Sequence, residues 1–144
     1  LYAWSATGLT LIAVALLLTA VFTALAFVAA VLARDKARGI GAALLIWFYF
    51  GLLHDGLTLY VLFLLEDFPL EGISVTLLAF NPIDLGRVLV LLQMDVSALM
   101  GYTGAMLKDL LGSGTGIGFA VLVLGSWIAA PVLAALWIFR RKDL

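Results

Sequence analysis

Long uncharged stretches alternate with short polar junctions along this chain. Residues 1–33 and 110–139 contain no Asp, Glu, Lys or Arg, and between Gly39 and Leu65 only Asp55 is charged. An apolar stretch of about 20 residues is long enough to cross a bilayer as a helix. The pattern therefore predicts three transmembrane helices, at about 9–33, 40–65 and 116–139.

The segment between the second and third predicted spans, 66–115, is mixed in character. Its apolar runs are short, and runs of about 10–14 residues are more often re-entrant or interfacial than spanning. Asp95 is a candidate cap for one short helix that ends near Leu111, and the glycine-rich stretch 112–116 predicts a turn before the last span. We expect short re-entrant or outer-face helices here.

A helix start stands out within this segment, at residues 81–87. Asn81 can cap a helix, and Pro82 suits the first helical position because its missing N–H would be unpaired there anyway. Asp84 falls where a carboxylate meets free backbone N–H groups, and Arg87 follows it by three residues, so the two side chains can pair on one face.

Composition supports an all-α integral membrane protein. The chain of 144 residues is 65% hydrophobic and 12% charged, with a mean hydropathy of +1.22. Soluble domains are only about 45–50% apolar. The absence of cysteine excludes disulfides and thiolate metal sites. A net charge of −1 argues against nucleic acid as a partner.

The basic residues predict the topology. Six of the eight lie in two groups, Arg34, Lys36 and Arg38 in the predicted loop 34–39, and Arg140, Arg141 and Lys142 in the tail 140–144. Three spans put both groups on one side, which the positive-inside rule assigns to the cytoplasm. A fourth span through 88–111 would bury Asp95 in lipid and move the basic tail outside, so we reject it.

His54 and Asp55 are the main polar pair inside a predicted span. Asp55 lies about 15 Å from the end of its span, close to the bilayer midplane. An ionisable group there should face protein or a water-filled cavity. With Thr58 on the same face, the pair is interpreted either as the lining of a transport path or gate, or as a buried structural hydrogen bond to another helix.

Catalysis and metal binding find little support. The chain has one histidine, no cysteine and no second acid inside a predicted span, so we expect no catalytic group. Met94, Met100 and Met106 are spaced by six and do not share a helix face, which favours core packing over a copper site. We expect no metal site and no cofactor.

The chain resembles the membrane permease of the Nos-type ABC transporter, the copper-processing system used in nitrous oxide reductase maturation. The matching stretches are 32–39, 47–57, 81–87, 95–104 and 139–144. The likeness corresponds to the C-terminal half of a six-span subunit, and because the chain starts with Leu1 at the edge of a span, we expect it to be part of a longer protein.

The resemblance implies an ABC-2 permease of the bacterial plasma membrane that pairs as a dimer and moves a sulfur- or copper-related species. A cytosolic ATPase subunit would bind ATP and face the basic loop, and a periplasmic β-helical protein would dock outside. The outer cap would comprise Asn81, Pro82, Asp84, Arg87 and Asp95. Two alternatives remain open: a non-transporting membrane scaffold, and an intramembrane enzyme that uses His54 and Asp55.

Overall fold

The computed structural model describes residues 2–93 and 101–142, with side-chain surroundings for 8–91 and 114–141. Within these ranges the chain forms helices and no strand. In chain order they are α1 (Tyr2–Leu32), α2 (Lys36–Phe48), a π-helical segment (Tyr49–Leu53), α3 (His54–Leu64), α4 (Leu70–Ala79), α5 (Pro82–Gln93) and α6 (Gly101–Lys142). The predicted all-α class is confirmed.

Three stretches of the described chain are long and apolar enough to cross a membrane. They are Gly8–Leu32, Lys36–Leu64 and Gly114–Arg141. The second combines α2, the π-helical segment and α3, and is called the second span below. The three spans predicted from the uncharged stretches correspond to these three helices.

A bent helical pair lies between the second and third of these stretches. Helices α4 and α5 meet at an angle of 108°, with only Phe80 and Asn81 between them. Together they are apolar enough to enter a membrane, either as a broken span or as a re-entrant loop. We call this pair the hairpin.

The junction between α1 and α2 is shorter than the predicted loop 34–39. Helix α1 ends at Leu32 and α2 already begins at Lys36, because the extended Asp35 caps α2 by accepting a hydrogen bond from Arg38 N at 2.9 Å. Lys36 and Arg38 therefore belong to the first turn of a helix rather than to a loop.

The predicted turn at 112–116 is wrong, since α6 runs without a break through these glycines. Glycine lowers helix propensity but does not forbid helical backbone angles. The helix also continues through Pro131. Asp95, the predicted cap of a separate short helix, lies outside the described residues.

The core forms where α1, α5 and α6 pack together, with α4 contributing one side chain. Gly86 allows the close approach of α5 to α1, because a Cβ atom there would lie 2.9 Å from Leu18 Cδ1 and 3.1 Å from Val14 Cγ1. The buried members of this core are Val14, Val21, Leu78, Leu85, Val88, Leu89, Ala120 and Leu124.

The second span contributes little to this core. Every residue from Lys36 to Leu64 is described, and among them only His54 is buried. Its large apolar side chains are mostly exposed, as expected for a helix whose surroundings are lipid or other protein. The one buried side chain of this span is thus a polar one.

Candidate functional site

The start of α5 has the predicted capping geometry. Asn81 Oδ1 accepts a hydrogen bond from Ile83 N at 3.0 Å, and the Asn81 carbonyl accepts one from Leu85 N at 3.1 Å. Pro82 occupies the first helical position. Asn81 and Pro82 are fully buried, so this helix end satisfies its polar groups inside the protein rather than in water.

The π-helical segment changes the hydrogen bonding of the second span at its middle. His54 N donates to Tyr49 O, five residues back, rather than to Phe50 O as an α-helix would require. Phe50 O instead accepts a hydrogen bond from Asn81 Nδ2 at 3.1 Å. The hairpin is therefore tied to the backbone of the second span at the point where its helix widens.

His54 is the buried centre of the site, with 3% of its surface exposed. Its Nδ1 atom lies 3.2 Å from Asn81 Nδ2, 3.3 Å from Thr58 Oγ1 and 3.8 Å from Asp84 Oδ2. Because an amide nitrogen only donates, the Asn81 contact is a hydrogen bond when Nδ1 is unprotonated. The tautomer with its proton on Nε2 fits the contacts with Asn81 and Thr58.

Arg87 bridges the two carboxylates of the site. Its Nη1 atom lies 3.1 Å from Asp84 Oδ1 and 3.6 Å from Asp55 Oδ2. The Asp84 side chain is 16% exposed, whereas those of Asp55 and Arg87 are 40% and 55% exposed. The predicted Asp84–Arg87 pair is present, and it extends to a residue of the second span.

Asn81 joins the start of α5 to the second span through a single amide group. Its Nδ2 atom has Phe50 O, His54 Nδ1 and Asp84 Oδ2 within 3.2 Å, the last at 2.8 Å. An amide nitrogen carries two protons, so three acceptors share them. No substitute side chain of similar size offers both this donor group and the capping oxygen.

The site thus merges two groups of residues that the sequence predicted separately. His54, Asp55 and Thr58 were expected within a span, and Asn81, Pro82, Asp84 and Arg87 in an outer cap beyond the spans. The bend of the hairpin instead brings the start of α5 to the middle of the second span. We call His54, Asp55, Thr58, Asn81, Asp84 and Arg87 the polar cluster.

The spacing of the polar cluster would allow a metal ion, but its charges do not favour one. One ligand atom each from His54, Asp55 and Asp84 lie within 4.8 Å of one another. Arg87 already contacts both carboxylates. A cation would compete with this guanidinium group for the same two carboxylates.

The geometry also differs from that of a catalytic triad. In a triad the nucleophile and the acid contact opposite nitrogens of the imidazole ring. Here Thr58 and Asp84 both approach Nδ1 of His54. The imidazole ring therefore does not lie between the Thr58 hydroxyl and the Asp84 carboxylate, as it does between the nucleophile and the acid of a triad.

The basic residues of the α1–α2 junction are far from the polar cluster. Lys36 begins the second span, and His54 follows 18 residues later (54 − 36), about 27 Å along the helix at 1.5 Å per residue. Arg38 pairs with Asp35 at 3.2 Å, and both side chains are largely exposed. Arg34 and Lys36 line a groove where α1 and α2 diverge.

Two residues of the site carried no signal in the sequence. Trp127 of α6 donates from Nε1 to Ala79 O at 2.9 Å, which satisfies the end of α4. Phe50 packs edge-on against Trp127, with ring centroids 5.2 Å apart. Aromatic residues are common in membrane helices, so only the tertiary structure distinguishes these two.

Comparison with known proteins identifies relatives. Residues 2–144 match the family described as ABC-2 family transporter protein. A probable ABC transporter permease protein NosY of Pseudomonas aeruginosa is 34% identical over 129 residues, covering 90% of this chain and 46% of the relative. A protein of the same name from Stutzerimonas stutzeri is 34% identical over 124 residues, covering 85% and 43%.

The chain spans a little under half the length of these curated relatives. No solved structure matches it significantly. Because the family match covers nearly every residue, including the polar cluster and all three candidate spans, the chain belongs to the ABC-2 family of transporter proteins.

Proposed function

We propose that this chain forms a membrane-embedded part of an ABC transporter permease that exports a sulfur- or copper-related species for nitrous oxide reductase maturation. Membership of the ABC-2 family and similarity to two NosY permeases support the transport role. The choice of cargo rests on the resemblance to Nos-type permeases. Transport is driven by a separate ATPase subunit, which carries out the ATP hydrolysis.

The observation that carries the mechanism is the contact between the middle of the second span and the start of the hairpin. Within the polar cluster, Arg87 contacts Asp55 across this boundary, and Asn81 contacts Phe50 and His54. Charged groups at membrane depth are costly unless paired. The cluster therefore acts as a gate that stays closed while these partners remain together.

Opening requires the second span to move relative to the hairpin. The half-exposed Arg87–Asp55 pair has the longer of the two guanidinium contacts, 3.6 Å against 3.1 Å to Asp84. It separates first, while Arg87 remains paired with Asp84 on its own helix. The second span begins at Lys36, so a partner that binds its cytoplasmic end moves the gate by moving the whole helix.

The proposed partners are those that the resemblance to Nos-type permeases implies. The cytosolic ATPase subunit contacts the junction that contains Arg34, Lys36 and Arg38, and the C-terminal tail lies on the same side. A second permease copy covers apolar faces of the spans, and a periplasmic β-helical protein docks on the opposite side. The protein lies in the bacterial inner membrane.

The gate is tested with Arg87→Gln in the full-length protein, in cells that depend on it for nitrous oxide reductase maturation. We expect enzyme maturation to fall at least tenfold while the amount of protein in the membrane stays unchanged. Arg140→Gln, the same substitution at an exposed position near the tail, is the matched control. Normal maturation in Arg87→Gln would reject the gate, and loss of the protein from the membrane would assign Arg87 to folding.

The ATPase contact is tested by co-purification. Reversing charge in Arg34→Glu/Lys36→Glu should reduce the ATPase subunit recovered with the full-length protein and lower the ATP hydrolysis rate of the complex. If the unmodified full-length protein recovers no ATPase subunit, the transport proposal fails and the scaffold alternative replaces it.

A further inference from the structure

A pocket of about 270 Å³ lies beside the polar cluster, between the second span, the end of α4 and α6. Four aromatic side chains form most of its wall. Two of them, Phe50 and Trp127, are fixed by their edge-on contact, and Trp127 is also held by its hydrogen bond to Ala79 O. The lining residues are Tyr49, Phe50, His54, Leu57, Leu77, Phe80 and Trp127, of which His54 and Tyr49 carry polar groups without another partner named above.

His54 belongs to the polar cluster and also lines the pocket. Thr58 and Asn81 occupy its Nδ1 atom. The tautomer that suits Asn81 carries its proton on Nε2, so Nε2–H is the hydrogen-bond donor that His54 can offer to a ligand. Hydrogen bonds at one ring nitrogen fix the orientation and the tautomer of a histidine whose other nitrogen binds a ligand.

We propose that this pocket binds a small uncharged molecule, about one ring in size, that accepts a hydrogen bond from Nε2 of His54. The volume exceeds the roughly 150 Å³ of an apolar cavity that holds benzene. None of the described residues that line the pocket is charged apart from a protonatable His54, so a charged ligand would lose hydration without a partner. Aromatic walls with one oriented polar group are typical of small-molecule sites.

This proposal goes beyond the transport function and does not depend on it. Neither Asp55 nor Asp84, the two carboxylates of the polar cluster, lines the pocket. A ligand bound here would stabilise the present position of the imidazole. It would thereby favour the state in which the hairpin and the second span are joined.

The test uses two fluorinated probes of similar shape, 4-fluoroacetophenone and 1-ethyl-4-fluorobenzene, with the intact protein in detergent. Only the first has a carbonyl acceptor. Ligand-observed ¹⁹F NMR should show saturable binding of both, with the ketone about tenfold tighter, which corresponds to about 1.4 kcal/mol for one hydrogen bond. His54→Phe should remove this preference by weakening the ketone alone.

Leu77→Trp fills the pocket and should abolish binding of both probes, while Leu122→Trp, at an exposed position of α6, is the matched control. Any ¹⁹F NMR binding signal that remains with the Leu77→Trp variant would come from partitioning of the probes into the detergent. If His54→Phe or Leu77→Trp prevents folding, Phe80→Ala replaces it. Phe80 is 61% exposed, and its loss removes part of the pocket wall, so binding of both probes should become weaker. The proposal would be overturned if the Leu77→Trp variant bound the probes as well as the unmodified protein does. The same holds for the Phe80→Ala variant.

Discussion

Two helix starts in this protein share a local pattern, an aspartate followed three residues later by an arginine. At the α1–α2 junction these are Asp35 and Arg38, and at the start of α5 they are Asp84 and Arg87. The ion-pair distances are nearly equal, 3.2 Å and 3.1 Å. The exposure of the acids differs, since the Asp35 side chain is 52% exposed and that of Asp84 only 16%.

The difference lies in what the two starts reach beyond their own helix. The side chain of Asp35 contacts the backbone nitrogen and the guanidinium group of Arg38, both within the start of α2. At α5, the cap and the arginine also contact Phe50, His54 and Asp55 of the second span. The same local pattern therefore caps the start of a helix in one place and also joins two helices in the other.

Environment gives these similar pairs different energetic weight. Exposed ion pairs contribute about 0–1 kcal/mol because water solvates the separated charges well. A polar group that is buried and loses its partner costs about 1–3 kcal/mol. We therefore expect substitutions at the α5 start to be far more damaging than the same substitutions at the α1–α2 junction.

Of these substitutions, Asn81→Ala should lower the free energy of unfolding the most. It removes a helix cap and also leaves Phe50 O and His54 Nδ1 without their amide donor, for a combined loss of about 3 kcal/mol. The free energy of unfolding, measured by denaturing-detergent titration of the full-length protein, checks this value.

Asn81→Ser separates the two contributions. Serine keeps a capping oxygen but is too short to reach the second span, so it should recover about 1 kcal/mol of the loss. If serine restores full stability, the contacts with Phe50 and His54 add nothing, and the two helix starts are energetically alike.

Gly86→Val should cause the second-largest loss in the free energy of unfolding, about 2 kcal/mol, because a β-branched side chain would clash with Val14 and Leu18 of α1. The matched control is Gly118→Val in α6, where an added Cβ meets nothing within 4 Å. Comparing the two unfolding curves removes the general cost of valine in a helix. Equal losses would show that α5 does not need a glycine to approach α1.

Arg87→Gln compared with Arg38→Gln gives the most direct test of the difference. Loss of Arg87 leaves Asp55 and Asp84 without their shared cation, which we expect to cost about 1.5 kcal/mol given the half-exposed guanidinium. Loss of Arg38 should change the unfolding free energy by less than about 0.5 kcal/mol. High salt should weaken the effect at Arg38 more than the effect at Arg87.

Local sequence patterns predicted much of the fold. Uncharged stretches predicted the three long helices, and the Asn81–Pro82 pair predicted the start of α5, because both depend on residues that are neighbours in sequence. The glycines at 112–116 misled the prediction. Glycine marks turns in soluble loops, yet it is also common within membrane helices.

The joining of His54 with Asn81 could not be predicted in the same way. The contact spans 27 residues and depends on the 108° bend of the hairpin and on the π-helical segment. Neither has a sequence signature here. The uncharged pocket wall at Trp127 was missed for the same reason, since α6 reaches it only through tertiary packing.

Asp35→Ala should also have only a small effect on the free energy of unfolding, about 0.5 kcal/mol. It removes one hydrogen bond to Arg38 N and one exposed ion pair, and water readily takes the place of both. Because α2 begins there, the change should be confined to its first turn, as measured by amide hydrogen exchange at residues 36–39. Asp35→Asn, which keeps a capping oxygen without the charge, should restore exchange protection there. Faster exchange extending to residues near His54 would show that the junction and the polar cluster are coupled, and the contrast between the two helix starts would then fail.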